Sequence, residues 1–330
     1  MSSLIAQFRL KLLALINDQK AMAQIRRFDP AKMQSYIVVT PHLVHLTPLA
    51  VQNAADHVQP VLVDNGLTAA DREWLSKRCP HTPFLDLLNS FSSNSETLIQ
   101  HGVVINHLAR GHQGVFCIQD ADCFIGRADY WNELSLDLDK EFAVGPFLRK
   151  TRDERPTFPE TFLLLLNGGL MQKLKREHGI TAENSKLPNA KARKILREAG
   201  IPDGQVLERN KDYYDTLQQY WVAAKHLGYS YRHIPGEDKD TWHIGGTSYL
   251  FKSFDDLAHW DYWPLNVHYL HLRLLEQPSC EPIRPRFQKL FDFHQNADNL
   301  LNNYPEFARG WRREMSDLII GKLTAIKPCR

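Results

Sequence analysis

At 330 residues, 43% of them hydrophobic, the chain can bury one large α/β core or two small ones, which excludes a wholly disordered or fibrous protein. The 40 Lys and Arg nearly balance 38 Asp and Glu, a net charge of +2, so nucleic acid is not expected as a partner and any anionic ligand must be met locally. Five scattered cysteines (Cys79, Cys117, Cys123, Cys280, Cys329) lack CxxC spacing, which argues against a disulfide framework or structural zinc and for a reducing compartment.

In chain order, Leu4, Ile5, Phe8, Leu12, Leu13 and Ile16 alternate with basic residues and predict an amphipathic N-terminal helix within residues 1–30. It is expected to dock on its own domain or on a second copy in a homo-oligomer, or to rest on a membrane surface. No leader-like start and no apolar stretch of roughly 18 residues is read in the sequence, so the expected location is cytoplasmic, at most peripheral to the inner face of the membrane. After Pro30 come short apolar runs that end in polar residues: Tyr36 to Val39 before Thr40, and Val61 to Val63 before Asp64. Such runs read as buried parallel strands with functional tips. Phe84 to Leu88 reads as a third strand, Ser95 to Arg110 as a helix, and Val115 to Gln119 as a strand that delivers Asp120 and Asp122. Strands alternating with helices predict a doubly wound sheet whose ligands collect at the carboxyl ends of the strands.

Further along, Glu160 reads as an acid at the start of an apolar helix, where capping alone explains it. Lys173 to Arg209 reads as an exposed helical insertion or a mobile flap. Asp212 to Leu227 predicts a helix stopped by Gly228, followed by a strand through Tyr229 to Ile234 and a polar loop ending at His243. Trp260, Tyr262 and Trp263 crowd together with Tyr269 and several histidines, as a surface for an acceptor sugar or peptide or as core and dimer contacts. The expected division is an N-terminal helix (1–30), one catalytic domain (31–250) and a helical C-terminal extension (251–330) for acceptor or oligomer contacts.

The chemically informative run is Gly114-Val115-Phe116-Cys117-Ile118-Gln119-Asp120-Ala121-Asp122-Cys123. Two acids directly after an apolar strand must face a crevice or be stranded beside the core, which is costly. Paired carboxylates suit Mg²⁺ or Mn²⁺, which are commonly held by one or two acids plus substrate phosphate oxygens. His243, in Trp242-His243-Ile244-Gly245-Gly246-Thr247-Ser248, can complete the metal shell, and its paired glycines allow backbone to approach phosphates. His42 and His45 follow Thr40 closely, as phosphate or acceptor contacts or as bystanders.

These residues carry a resemblance. Tyr36-Ile37-Val38-Val39-Thr40, Pro60-Val61-Leu62-Val63-Asp64-Asn65-Gly66 and Gly114 through Asp122, in that order, resemble the nucleotide-binding half of GT-A glycosyltransferases, especially family 2. The resemblance implies an α/β, GT-A-like (Rossmann-like), mostly parallel sheet flanked by helices. It implies nucleotide binding by Thr40, Asp64, Asn65 and Asp120, and a metal on Asp120, Asp122 and His243. It continues at Tyr214-Asp215-Thr216-Leu217 through His226-Leu227-Gly228-Tyr229, which is similar to the family's acidic pair, helix and strand start. That implies Asp215 as catalytic base. The usual Glu-Asp pair is Tyr214-Asp215 here, Asp212 is a rival, and either acid can instead cap the helix.

The function so implied is a metal-dependent, hexosyltransferase-like glycosyltransferase. It would move a sugar from a nucleotide-diphosphate sugar to a glycan, lipid or protein acceptor, with inversion through Asp215. Two other classes fit the same acids: a metal-dependent nucleotidyltransferase or phosphoester hydrolase, and a catalytically silent carbohydrate- or protein-binding relative. Against the first, Thr40-Pro41-His42-Leu43-Val44 lacks a Gly-rich basic loop after the first strand.

Overall fold

Alternation at period two, with both faces buried, builds the central sheet. In the strand Gln34–Val39 (β1), Tyr36 and Val38 enter one hydrophobic cluster while Ile37 and Val39 enter another on the opposite face. The computed structural model describes residues 19–20, 22–29, 31–87, 100–127, 129–150, 156–208, 211–236, 241–244, 271 and 274–288. From β1 the chain passes through helix Thr47–Ala55 (α1), strand Gln59–Asp64 (β2), helix Ala69–Arg78 (α2), strand Phe84–Asp86 (β3), helix His101–Gly111 (α3) and strand Val115–Asp120 (β4). Strand Cys123–Ile125 (β5), a short helix Tyr130–Glu133 (α4), strand Glu141–Gly145 (β6) and a hairpin of Leu148–Lys150 (β7) with Pro156–Pro159 (β8) lead to strand Leu163–Asn167 (β9). Helices Gly168–His178 (α5), Ala190–Glu198 (α6) and Gln218–His226 (α7) follow, then strands Ser230–His233 (β10) and Thr241–His243 (β11).

Among the described residues seven strands form the main sheet in the order β10-β6-β9-β4-β1-β2-β3, and of these β9 alone runs antiparallel to its neighbours. This is the largely parallel, helix-flanked, Rossmann-like α/β sheet that the sequence predicts. Helices α3, α5, α6 and α7 cover one face, while α1, α2 and the segment 274–288 cover the other. Four consecutive leucines, Leu163 to Leu166, are buried on the two faces of β9, each stabilising the fold by about 1.5–3 kcal/mol. The chain leaves β1 toward β2 on one side and has β4 on the other, so a topological switch point opens at the carboxyl end of β1.

Some expectations change. Glu160 does not start a helix: it stands in the corner between β8 and β9, because the apolar run after it is a strand buried on both faces. The described part of 173–209, residues 173–208, is no exposed insertion, since Leu174, Ile180, Ala192, Ile195 and Leu196 bury one side of α5, α6 and their connection against the core. Helix α7 begins at Gln218 rather than Asp212, so Asp215 lies ahead of it, and the polar loop expected to end at His243 ends as strand β11. Residues 22–25 are helical and Ile25 reaches the core, whereas the rest of the N-terminal helix up to residue 18 lies outside the described residues. So do the start of the helix predicted from Ser95, Gly245 and Gly246, the aromatic cluster at Trp260, Tyr262 and Trp263, and most of the C-terminal extension. Its described part, 274–288, runs through two 3₁₀ turns against α1 and α2. Among the described residues no helix is long and apolar enough to cross a membrane.

The start of α3 is locked in place. A Cβ on Gly102 would overlap the carbonyl oxygen of Ala182, and the Asn106 side chain accepts from the Ala182 amide at 3.0 Å and donates to Glu183 at 2.8 Å. Gly102→Ala is therefore expected to destabilise the protein by about 1–3 kcal/mol, read as a lower midpoint in urea without a change in slope.

Candidate functional site

Gln119, fully buried, shapes the turn that presents the two acids. Its Oε1 accepts from Ser35 Oγ at 2.9 Å and its Nε2 donates to the Cys123 carbonyl at 2.9 Å, which bends the chain back after Asp120. The returning strand β5 pairs antiparallel with β11, setting His243 opposite Cys123, and the Ile244 amide donates to the Asp122 carbonyl at 3.0 Å. Asn53 of α1 grips β5 through both the N–H and the carbonyl of Ile125, each at 2.7 Å. On the other side the Asp120 amide donates to the Phe162 carbonyl at 2.8 Å, and the Phe162 ring stacks on His243 at 3.5 Å between centroids.

Asp120, Asp122 and His243 thus converge, each with a ligand atom within 4.8 Å of the others. His243 Nε2 stands 3.5 Å from Asp122 Oδ1 and 3.9 Å from Asp120 Oδ2. Two ligands each about 2.1 Å from one ion are roughly 3 Å apart when adjacent and roughly 4 Å apart when opposite, so the trio suits a divalent cation with small adjustments. Its two hard oxygens and one imidazole match Mg²⁺ or Mn²⁺ chemistry. Burial, and next the charge of Asp122, push the Asp120 carboxyl up to about 8, with His243 pulling it down and Glu160 pushing it up. Burial works to lower the His243 imidazole, but Asp122 first, then Asp120 and Glu160, outweigh it and raise its pKa. Among the described residues, the only basic side chains that reach Asp120 are two imidazoles, His243 and His101.

A second charged cluster adjoins the first. Arg149 of β7 donates to both oxygens of Glu160 at 2.7 and 2.6 Å, to Glu208 at 2.9 Å and to Asp215 at 2.8 Å. Lys211 also pairs with Asp215, whose other oxygen accepts from the Thr216 amide at 2.8 Å. Burial would raise the Asp215 carboxyl, but Lys211 and then Arg149 outweigh it and hold it below the usual carboxylate range. The chain then reaches α7 through Leu217, a buried non-glycine residue with φ of 66°, in the left-handed region.

The other expected site residues fall along the carboxyl edge. Across the sheet Val39 registers with Asp64 and Val38 with Asp120, so the ends of β2, β1 and β4 are level and Thr40 stands between the two acids. With strands about 4.8 Å apart, Asp64 and Asp120 are roughly 10 Å apart. Asp64 is buried: Oδ1 accepts from the Gly66 and Leu67 amides at 3.1 and 2.9 Å and Oδ2 pairs with Arg72, while Asn65 beside it is also buried. Asp212 pairs with Lys186 on the surface, both side chains being exposed. His45 is in the core, its Nε2 2.6 Å from the ring of His271. Sequence reasoning missed Gln119, His101, Arg149 and Phe162, and gave Glu160 only a capping role. A glutamine in an otherwise apolar strand was the one available signal among them; the others take their meaning from neighbours remote in sequence.

Residues 16–171, a little under half of the chain, match the family model of the StrH glycosyltransferase N-terminal domain. This span runs from ahead of β1 into α5, bears out the resemblance to glycosyltransferases, and does not single out family 2. Among solved structures, the galactosyltransferase LgtC in complex with donor and acceptor sugar analogues is similar over 44% of this chain and 65% of its own, at 12% identity and a TM-score of 0.32. The match thus spans less than two thirds of LgtC. No curated protein matches the chain.

The raised carboxyl of Asp120 has a sign that can be measured. A carboxyl held above its unfolded value contributes stability below that value and loses it as pH rises through the folded one. In chelator, the contribution of Asp120 to stability is therefore expected to fall between about pH 4 and pH 8, a window set by the folded value of about 8, against the opposite trend of His45, His101 and His112, whose imidazoles burial holds low. Asp120→Asn, whose side chain cannot ionise, is expected to flatten that slope in thermal melts; an unchanged slope would mean that Asp120 ionises normally.

Proposed function

We propose that the chain is a metal-dependent glycosyltransferase using a nucleotide-diphosphate sugar, with Asp120, Asp122 and His243 as the ligands of Mn²⁺ or Mg²⁺. The observation that carries this reading is the trio itself, set at the carboxyl edge beside the switch point. Two of its members lie inside the span that matches a glycosyltransferase family model. When bound, the cation supplies charge neutralisation for the diphosphate leaving group. The chain's own residues orient and insulate. Phe162 and Phe147 flank the His243 ring and fix its plane, and the buried turn set by Gln119 holds the two carboxylates facing the crevice. Thr40, Asp64 and Asn65 are assigned to the nucleoside, a reading supported by the level strand ends; because both Asp64 oxygens are engaged, a base is met by the Asp64–Arg72 pair as a unit.

The finer expectation, inversion with Asp215 as base, meets a physical constraint. A base must have a free lone pair and a pKa near the working pH, whereas both Asp215 oxygens are taken and its pKa is depressed. We therefore assign Asp215 the task of anchoring Arg149 and Lys211, which leaves the stereochemical course open to either outcome.

Two experiments test the reading. Thermal stability against UDP, GDP, CDP and dTDP, each with and without Mn²⁺, is expected to rise with one diphosphate only when the metal is present, by about 2.7 kcal/mol at a hundredfold excess over Kd. Asp122→Ala should abolish that rise. A chain that responds to none of the four, with or without Mn²⁺, is not this kind of transferase. Asp215→Asn is expected to lower stability by about 1–3 kcal/mol while transfer stays within about tenfold of wild type. Intact stability with transfer reduced by about 10²–10⁴ would return the base role to Asp215.

A further inference from the structure

The two oxygens of Asp120 face different imidazoles. Oδ2 turns toward His243, at 3.9 Å, and belongs to the trio, while Oδ1 turns toward Nε2 of His101, at 3.8 Å. His101 opens α3, yet it is no surface residue of a helix end: its Nε2 is buried and has no hydrogen-bond partner. A nitrogen in that position ordinarily finds one, since a buried polar atom left unpaired is costly. The gap to Asp120 is about 1 Å too long for a hydrogen bond, and His101 is not among the three residues whose ligand atoms all lie within 4.8 Å of one another.

The setting explains why the ring stands there. Gly102 lies against the backbone of Ala182, and Asn106 holds the Ala182 amide one helical turn on. The same Ala182 carbonyl accepts from Leu217, and Ser185 pairs with Tyr214, so the strip that fixes α3 also fixes Asp215. His101 thus stands between the two charged clusters on a backbone with little freedom to move, while Asp120 sits at a strand end beside a turn.

We infer that His101 is a positioning residue of the cation site: when a divalent ion draws Asp120 into place, His101 donates from Nε2 to Oδ1 and leaves Oδ2 to the ion. The neutral ring needs only the tautomer that carries hydrogen on Nε2, so the role involves no change of charge. Partners of this kind hold a ligating carboxylate in orientation, and their removal ordinarily weakens metal binding by about 10–100-fold.

This inference rests on the cation reading of Asp120, Asp122 and His243, and the test separates the two. Mn²⁺ alone is titrated into the full-length chain, with free ion followed by electron paramagnetic resonance, for wild type, Asp122→Ala, His101→Leu and His101→Gln. Leucine keeps the bulk and removes the donor, whereas glutamine places an amide N–H near the position of Nε2. The expected result is a Kd raised about 10–100-fold by His101→Leu and restored to within about threefold of wild type by His101→Gln. Metal-free melting curves of the two variants are expected to agree, which a merely structural role would not produce. If His101→Leu does not melt cooperatively, His101→Asn replaces it; its amide is too short to reach Asp120 and must show the same loss. Wild-type affinity in the variant without a donor, or equal loss with glutamine, overturns the inference while the cation site stands. A wild-type chain that takes up no Mn²⁺ overturns both.

Discussion

Two carboxylates held two positions apart at the buried end of a strand repel one another, and the surroundings of Asp120 and Asp122 are best understood as the response to that repulsion. Burial raises the cost of ionising Asp120, and the fold supplies it no lysine or arginine among the described residues. It supplies imidazoles instead, along with a turn pinned by Gln119 that keeps the acids from swinging apart. A basic side chain here would satisfy the acids permanently and close the crevice to a small cation. On the proposed reading, the charge of Asp120 is what a cation would answer, and the rest of the sheet is the scaffold that holds it in place.

The neighbouring cluster shows the opposite solution. Glu160, Glu208 and Asp215 are also gathered together, but around Arg149 and Lys211, so charge is balanced and the carboxylates become structural ties. Arg149 joins the corner before β9 to the loop ahead of α7, and that corner carries Phe162, which touches both His243 and the Asp120 backbone. The arginine's planar fork makes four hydrogen bonds to three acids, one more than the three donors of a lysine allow. Of two adjacent groups of acids, then, one is tied to an arginine and a lysine, while Asp120 in the other meets only imidazoles among the described residues.

The division between what the sequence revealed and what it hid follows the range of the interactions. Strands β1, β2 and β4 were legible because burial on both faces demands continuous apolar runs, and the acids after them were legible because polar residues at such ends have few places to go. His243 was legible as a candidate ligand beside paired glycines, but its strand was not, since nothing in Thr241 to His243 announces pairing with residues beside Asp122. Glu160 was misread because a leucine run suits a helix as well as a strand buried on two faces, and only its place between β4 and β6 decides. Asp215 was singled out through the resemblance, within a helix expected from Asp212; its clamp was not legible, because Arg149 lies on a hairpin remote in sequence. For His101, the face of the sheet that α3 covers and the close approach at Gly102 are tertiary facts with no local trace.

The β5–β11 ribbon brings together Asp122 and His243, about 120 positions apart in the chain. An ion shared across that distance acts on the chain as a crosslink does, because every conformation in which the ribbon has come undone forfeits it. The ribbon is two short strands of three residues each, outside the main sheet, so its own backbone pairing is slight. On the proposed cation reading, closure of the ribbon would rest largely on the ion, which would then be the clasp that fastens β11 to the strand beside Asp122.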